Sequence, residues 1–199
     1  MNVHRYSSRT AAAIAAAVLL VCTSTPADAA TTANATSASQ TASSGTWGAV
    51  ASLSTTAPYG SGPLTLTFTN NGKPATPSFV PQYFTVGNTG TLPITAASYG
   101  GSTSAPSSVQ FFIESCSGTW DEPTGACLGG TATTILTTPF GTSTIPDTPG
   151  PAPATSGAGL RLRASVASTG NVSKSAILTL TLSISVDRTQ VRSATTTGG

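Results

Sequence analysis

Side chains able to do chemistry are scarce in this 199-residue chain: only 7% of it is charged, and it holds one histidine and three cysteines. Trp120, Asp121 and Glu122 stand together between Cys116 and Cys127. An aromatic face beside carboxylates could stack on a sugar and hydrogen-bond to its hydroxyls, so these three form the candidate sugar-binding site. The simpler alternative is an indole packed over its own hairpin, with two solvated acids in a turn. As a glycosidase pair the acids are poorly placed, because neighbours on a short loop do not face each other across the ~5 Å or more that this chemistry needs. Too few carboxylates lie close in sequence to predict a calcium site.

Arg161 and Arg163 share a strand face and could meet an anionic wall polymer, although a solvated outer face is the plainer expectation. Lys73 or Lys174 could form an isopeptide bond assisted by Glu114, but nothing in the sequence fixes the partner. Asn34-Ala35-Thr36 and Asn171-Val172-Ser173 match the glycosylation acceptor pattern, which arises readily by chance in a Ser/Thr-rich chain.

Met1 to Ala29 reads as a secretory signal peptide. It has a basic start (His4, Arg5, Arg9), an apolar run from Ala11 to Val21 and a small-residue exit at Ala27-Asp28-Ala29. The run is about half the ~20 residues that a bilayer span requires. A lipobox ending at Cys22 is the rival reading, set back by Val21 where that motif wants a small residue.

Cleavage near Ala30 would discard the only histidine and the odd cysteine. A chain without histidine excludes Ser-His-Asp and Cys-His catalysis and histidine-ligated zinc. Neither remaining lysine stands in the S-x-x-K spacing of a Ser-Lys mechanism. No catalytic residue, metal site or cofactor is therefore expected. Cys116 and Cys127 are expected to form a disulfide, worth roughly 2–3 kcal/mol through restriction of the unfolded chain.

The eight Lys and Arg, less Arg5 and Arg9, nearly balance Glu114, Asp121, Glu122, Asp147 and Asp187, so no nucleic-acid partner is implied. No membrane segment is expected after the signal peptide. With hydroxyls in place of charge, the surface lacks the repulsion that keeps strand edges apart. The expected partners are therefore a second copy, through sheet edges, or cell-wall and matrix polymers.

These residues must be positioned by strands. Residues 30–46 read as a flexible Ala/Ser/Thr leader, 47–192 as a β domain and 193–199 as a disordered tail. Period-2 alternation marks Leu64 to Phe68, Leu160 to Val166 and Leu178 to Val186. Further strands are expected at Ala49 to Leu53, Gln82 to Gly87, Leu92 to Tyr99, Ser108 to Cys116 and Thr133 to Thr138. Asn70-Asn71-Gly72 and Asn88-Thr89-Gly90 give turn signals, and Thr144 to Gly157, with four prolines, reads as an exposed loop. Seven or eight strands without a helix predict an all-β, antiparallel β-sandwich, with a β-barrel as the alternative.

The stretch Phe84-Thr85-Val86-Gly87-Asn88-Thr89-Gly90-Thr91-Leu92-Pro93-Ile94-Thr95 resembles a recurrent strand-turn-strand of bacterial extracellular immunoglobulin-like modules. Signal peptide, leader, Trp47-Gly48 and this segment together are more loosely similar to the secreted TasA and camelysin class, whose members assemble into matrix fibres. The Phe-Ser-Asp start and Thr-Ala-Gly-Thr run of that class are absent. The resemblance implies an immunoglobulin-like fold and a secreted, non-catalytic structural or adhesive role at the cell surface or in a biofilm matrix. A carbohydrate-binding module is the alternative.

Overall fold

The computed structural model describes residues 45–186. The expected signal peptide, Cys22, Asn34, nearly all of the leader, the tail and Asp187 lie outside them. Eleven strands run in order: β1 Ala49–Ser52, β2 Leu64–Thr69, β3 Gln82–Asn88, β4 Ala97–Ser104, β5 Val109–Cys116, β6 Thr119–Asp121, β7 Ala126–Leu128, β8 Ala132–Thr137, β9 Thr144–Gly150, β10 Gly159–Ser168 and β11 Ile177–Val186. Sheet A has the order β1-β3-β10-β5-β8 and sheet B the order β2-β11-β4-β9; β6 and β7 pair as a separate small hairpin. All pairings are antiparallel and neither large sheet closes into a barrel.

The core forms where alternating residues of the two sheets meet. Phe84, Val86, Leu162, Ala164 and Ile113 from sheet A face Leu66, Phe68, Tyr99, Leu178, Leu180 and Leu182 from sheet B, all of them buried. Phe68 and Phe111 join the sheets directly, their ring centroids 5.7 Å apart. Each such side chain contributes roughly 1.5–3 kcal/mol by leaving water. Burial pushes the Tyr99 hydroxyl well above the ordinary tyrosine range, and it donates its proton to the Pro151 carbonyl.

Two expectations from the sequence are corrected. Thr144–Gly150 is not loop but the edge strand β9, pairing with β4 alone. Thr103 of β4 donates its N–H toward Ser143, so by alternation Ser98 directs its backbone toward β11. Pro149, opposite Ser98, therefore turns its nitrogen to the open edge and costs no ladder bond. Pro146 falls where the register shifts between Tyr99 and Gly101. The second correction concerns Asn88-Thr89-Gly90: β3 lies in sheet A, and the strand that follows begins at Ala97, not Leu92, in sheet B. The segment joins two sheets and is not a hairpin.

Both Asn-x-Gly signals are turns of another kind. Asn70 Oδ1 accepts the Gly72 N–H at 2.9 Å and the Ser78 N–H at 3.0 Å, while its amide donates to the Val172 carbonyl at 2.8 Å. Asn88 Oδ1 accepts the Gly90 N–H at 3.0 Å, and its amide donates to Leu92 and Pro153 carbonyls. Both asparagines are buried, and each ties a crossing between sheets to a distant loop.

The loop after β1 folds back onto sheet A. Tyr59 lies over Gly87 and Gly159, which pair across β3 and β10, and its hydroxyl donates to the Gly157 carbonyl at 2.9 Å. A Cβ at Gly87 would sit 2.1 Å from the Tyr59 ring. Gly87→Ala is expected to destabilise the fold by about 1–3 kcal/mol in denaturant unfolding, and Tyr59→Ala to remove most of that added cost. Additive losses in the double variant would contradict the contact.

Candidate functional site

The outer face of sheet A carries the charged side chains that chemistry would need. Register places Tyr83, Arg163 and Glu114 in one row across β3, β10 and β5, with Arg161 opposite Thr85 one row further along. The Arg163 Nε and Nη2 both reach Glu114 Oε2, at 2.9 and 2.8 Å, and Ser165 Oγ donates to the same oxygen at 3.2 Å. Arg161 grips Glu122 in the same way, at 2.8 and 2.6 Å, and donates to Thr85 Oγ1 at 3.3 Å.

The two pairs differ in exposure. Side chains of Arg163 and Glu114 are 19% and 16% exposed, against 27% and 44% for Arg161 and Glu122. The first pair is the costlier to break, because a partner left alone keeps little access to water. The second is closer to an ordinary surface bridge.

The β6–β7 hairpin closes over this row. Cys116 ends β5 and bonds to Cys127 in β7, with their Cα atoms 5.5 Å apart, and Cys127 pairs opposite Trp120 of β6. The disulfide thus holds the hairpin against the strand that precedes it, inside the one sandwich connection that, among the described residues, stays within one sheet, β5 to β8. Trp120 is buried, with the Arg163 guanidinium 4.5 Å from its ring centroid and Tyr83 meeting it edge-on at 6.0 Å. Arg163 Nη1 also donates to the Gly125 carbonyl at the hairpin turn. Burial raises the Tyr83 hydroxyl above its ordinary range, partly offset by Arg163.

The sequence-predicted site residues are brought together, but toward the protein. Trp120 packs on Arg163; Glu122 turns to Arg161; Asp121 accepts from Thr124 Oγ1 within the turn. Arg161 and Arg163, expected on a solvated face, lie beneath the hairpin as its anchors. Glu114 is taken by Arg163 and Ser165 rather than by a lysine. A groove of about 440 Å³ remains beside the hairpin, lined by Thr85, Trp120, Glu122 and Arg161 among others. Among the described residues no three His, Cys, Asp or Glu side chains converge to hold a metal ion, and no helix is long and apolar enough to cross a membrane.

Sequence reasoning passed over Tyr83 and Thr85. Their outward parity on β3 was readable, but their place beside Arg163 and Arg161 depends on pairing with a strand more than seventy residues away.

Sheet B presents the opposite surface. Its outer face carries Thr65 and Thr67 on β2, Thr179, Thr181 and Ser183 on β11, and Ser102 and Ser104 on β4. Register aligns Thr65, Thr181, Ser102 and Thr144 in one row and Thr67, Thr179 and Ser104 in the next. Thr65 and Thr181 hydroxyls meet at 3.0 Å. Asp147, reaching over Gly100, is the one charged residue within the four strands of sheet B. This face was half legible: the polar alternation of β11 was plain, but the rows require four strands scattered along the chain.

Neither protein-family models, nor curated proteins, nor solved structures give a match to this chain.

Arg163→Ala is expected to lower stability by roughly 2–4 kcal/mol, since it strands Glu114 and uncovers Trp120. Arg163→Lys should recover only part, because one ammonium cannot serve Glu114, Gly125 and the indole together. Chemical denaturation checks both, with Arg161→Ala, expected below about 1 kcal/mol, as the comparison.

Proposed function

We propose that the chain is an exported, non-catalytic structural or adhesive module of the cell surface or extracellular matrix. The signal-peptide pattern of residues 1–29 and the Cys116–Cys127 disulfide support export. The observation that carries the adhesive reading is the contrast between the two outer faces. Sheet A spends its arginines, glutamates and tryptophan on holding its own hairpin, whereas sheet B leaves rows of hydroxyls uncovered.

Such a face suits a neutral, hydroxyl-rich polysaccharide. Among the described residues, the strands of this sheet carry no basic side chain with which to hold an anionic polymer and no carboxylate pair with which to cut a glycosidic bond. Many weak hydroxyl contacts in register favour adhesion to an extended, immobile polymer over capture of a small solute.

The second reading, a carbohydrate-binding module, rests on the groove beside Trp120 and Glu122. One co-sedimentation experiment separates the two. The protein, processed as its host processes it, is spun with insoluble cell-wall and matrix polysaccharide. Thr181→Glu, at the centre of a hydroxyl row, is expected to weaken retention at least about tenfold, and Glu122→Gln to leave it unchanged. No retention of the unaltered protein, or loss with Glu122→Gln alone, would overturn the adhesive reading.

A further inference from the structure

The four edges of the sandwich are unequally protected. In sheet A, β1 is only four residues long and β8 carries a register shift against β5. In sheet B, β9 holds Pro146, Asp147 and Pro149 and a bulge. These are the devices that keep strands from pairing with another chain. The remaining edge, β2, is Leu64-Thr65-Leu66-Thr67-Phe68-Thr69, without charge, proline, glycine or bulge.

The direction of its free hydrogen-bonding groups follows from alternation. Asn70 donates its N–H to the Ala176 carbonyl, on the β11 side. Phe68, Leu66 and Leu64 therefore face β11 as well, and Thr65, Thr67 and Thr69 turn N–H and C=O outward. Among the described residues these three make no backbone hydrogen bond beyond the strand.

We propose that β2 is a self-pairing edge, joining a second copy of this chain about a two-fold axis through Thr67. Outward residues must face outward residues, and side chains must keep to their own faces, so paired positions must share parity. Thr67 opposite its own copy, with Thr65 opposite Thr69 of the partner subunit, satisfies every outward group in about six backbone hydrogen bonds. A shift by two residues brings Pro63, which has no N–H, against Thr69 and loses bonds. No like charges meet, because β2 has none.

The pairing makes one eight-stranded sheet and aligns the hydroxyl rows of two copies. Since the other three edges are blunted, the assembly closes as a dimer and does not grow into a fibre. That the dimer strengthens adhesion rests on the proposed function; the dimer itself does not.

Sedimentation across a range of concentrations tests the pairing on the purified protein, processed as its host processes it. A reversible monomer–dimer equilibrium is expected, weakened at least about tenfold by Thr67→Lys. Thr67→Cys is expected to give a cross-linked dimer on mild oxidation. Thr65→Cys is expected not to, since the two copies of residue 65 lie about 13 Å apart, whereas Thr65→Cys with Thr69→Cys in the same chain should cross-link. A monomer at every concentration, growth past the dimer, or equal cross-linking through Thr65→Cys overturns the proposal. A monomer that still co-sediments with polysaccharide overturns the pairing alone; a dimer that does not co-sediment overturns the adhesive reading alone.

Discussion

Among the described residues, seven of the eight connections between successive strands of the sandwich cross from one sheet to the other, and that constraint governs the rest of the structure. Apart from β5 and β8, successive strands of the sandwich do not pair, so neither sheet can form as a series of hairpins. Register must come from the core, where leucines and phenylalanines from distant segments select which face turns inward. The crossings in turn need fixing at their ends, which explains the two buried asparagines whose amides reach across to remote carbonyls. Such a topology, rich in non-local contacts, belongs to the slowly folding class of β-proteins.

The exception has its own consequence. Because β5 and β8 stay in one sheet, their connection is free to carry an insertion, and the Cys116–Cys127 bridge and Arg163 together hold that insertion flat on sheet A. The charge-poor composition is thus not spread evenly. Four of the eight described charged residues, Arg161, Arg163, Glu114 and Glu122, serve this clamp, and the strands of sheet B hold Asp147 as their one charge beside the hydroxyls. The exposed surface and the open edge lie on the same sheet, so one element, β2 with β11, carries both the adhesive and the self-pairing readings.

How much of this was legible depended on whether a feature is local. The alternation of β10 and β11 and the disulfide could be read directly, because period and spacing suffice. β9 was hidden by Pro146 and Pro149, whose meaning reverses once the strand is known to be an edge. The Asn-x-Gly signals marked true turns, but whether a turn returns to the same sheet is decided by packing, not by the turn residues. The candidate site was legible only in part: Trp120, Asp121 and Glu122 are neighbours in sequence, but of their partners Arg163, Thr124 and Arg161 only Thr124 lies in the same turn. Glu114 and Tyr83 joined the cluster through cross-strand register that no local pattern encodes.

Hydrogen exchange on the protein alone and bound to insoluble polysaccharide tests the central claim, that sheet B is the working surface and the hairpin-covered face of sheet A is structural. Added protection in segments 64–69 and 177–186, with residues 117–131 unchanged, is the predicted result. Protection confined to 117–131 and the β3 and β10 segments beneath the hairpin would contradict it and move the binding surface to the Trp120 groove.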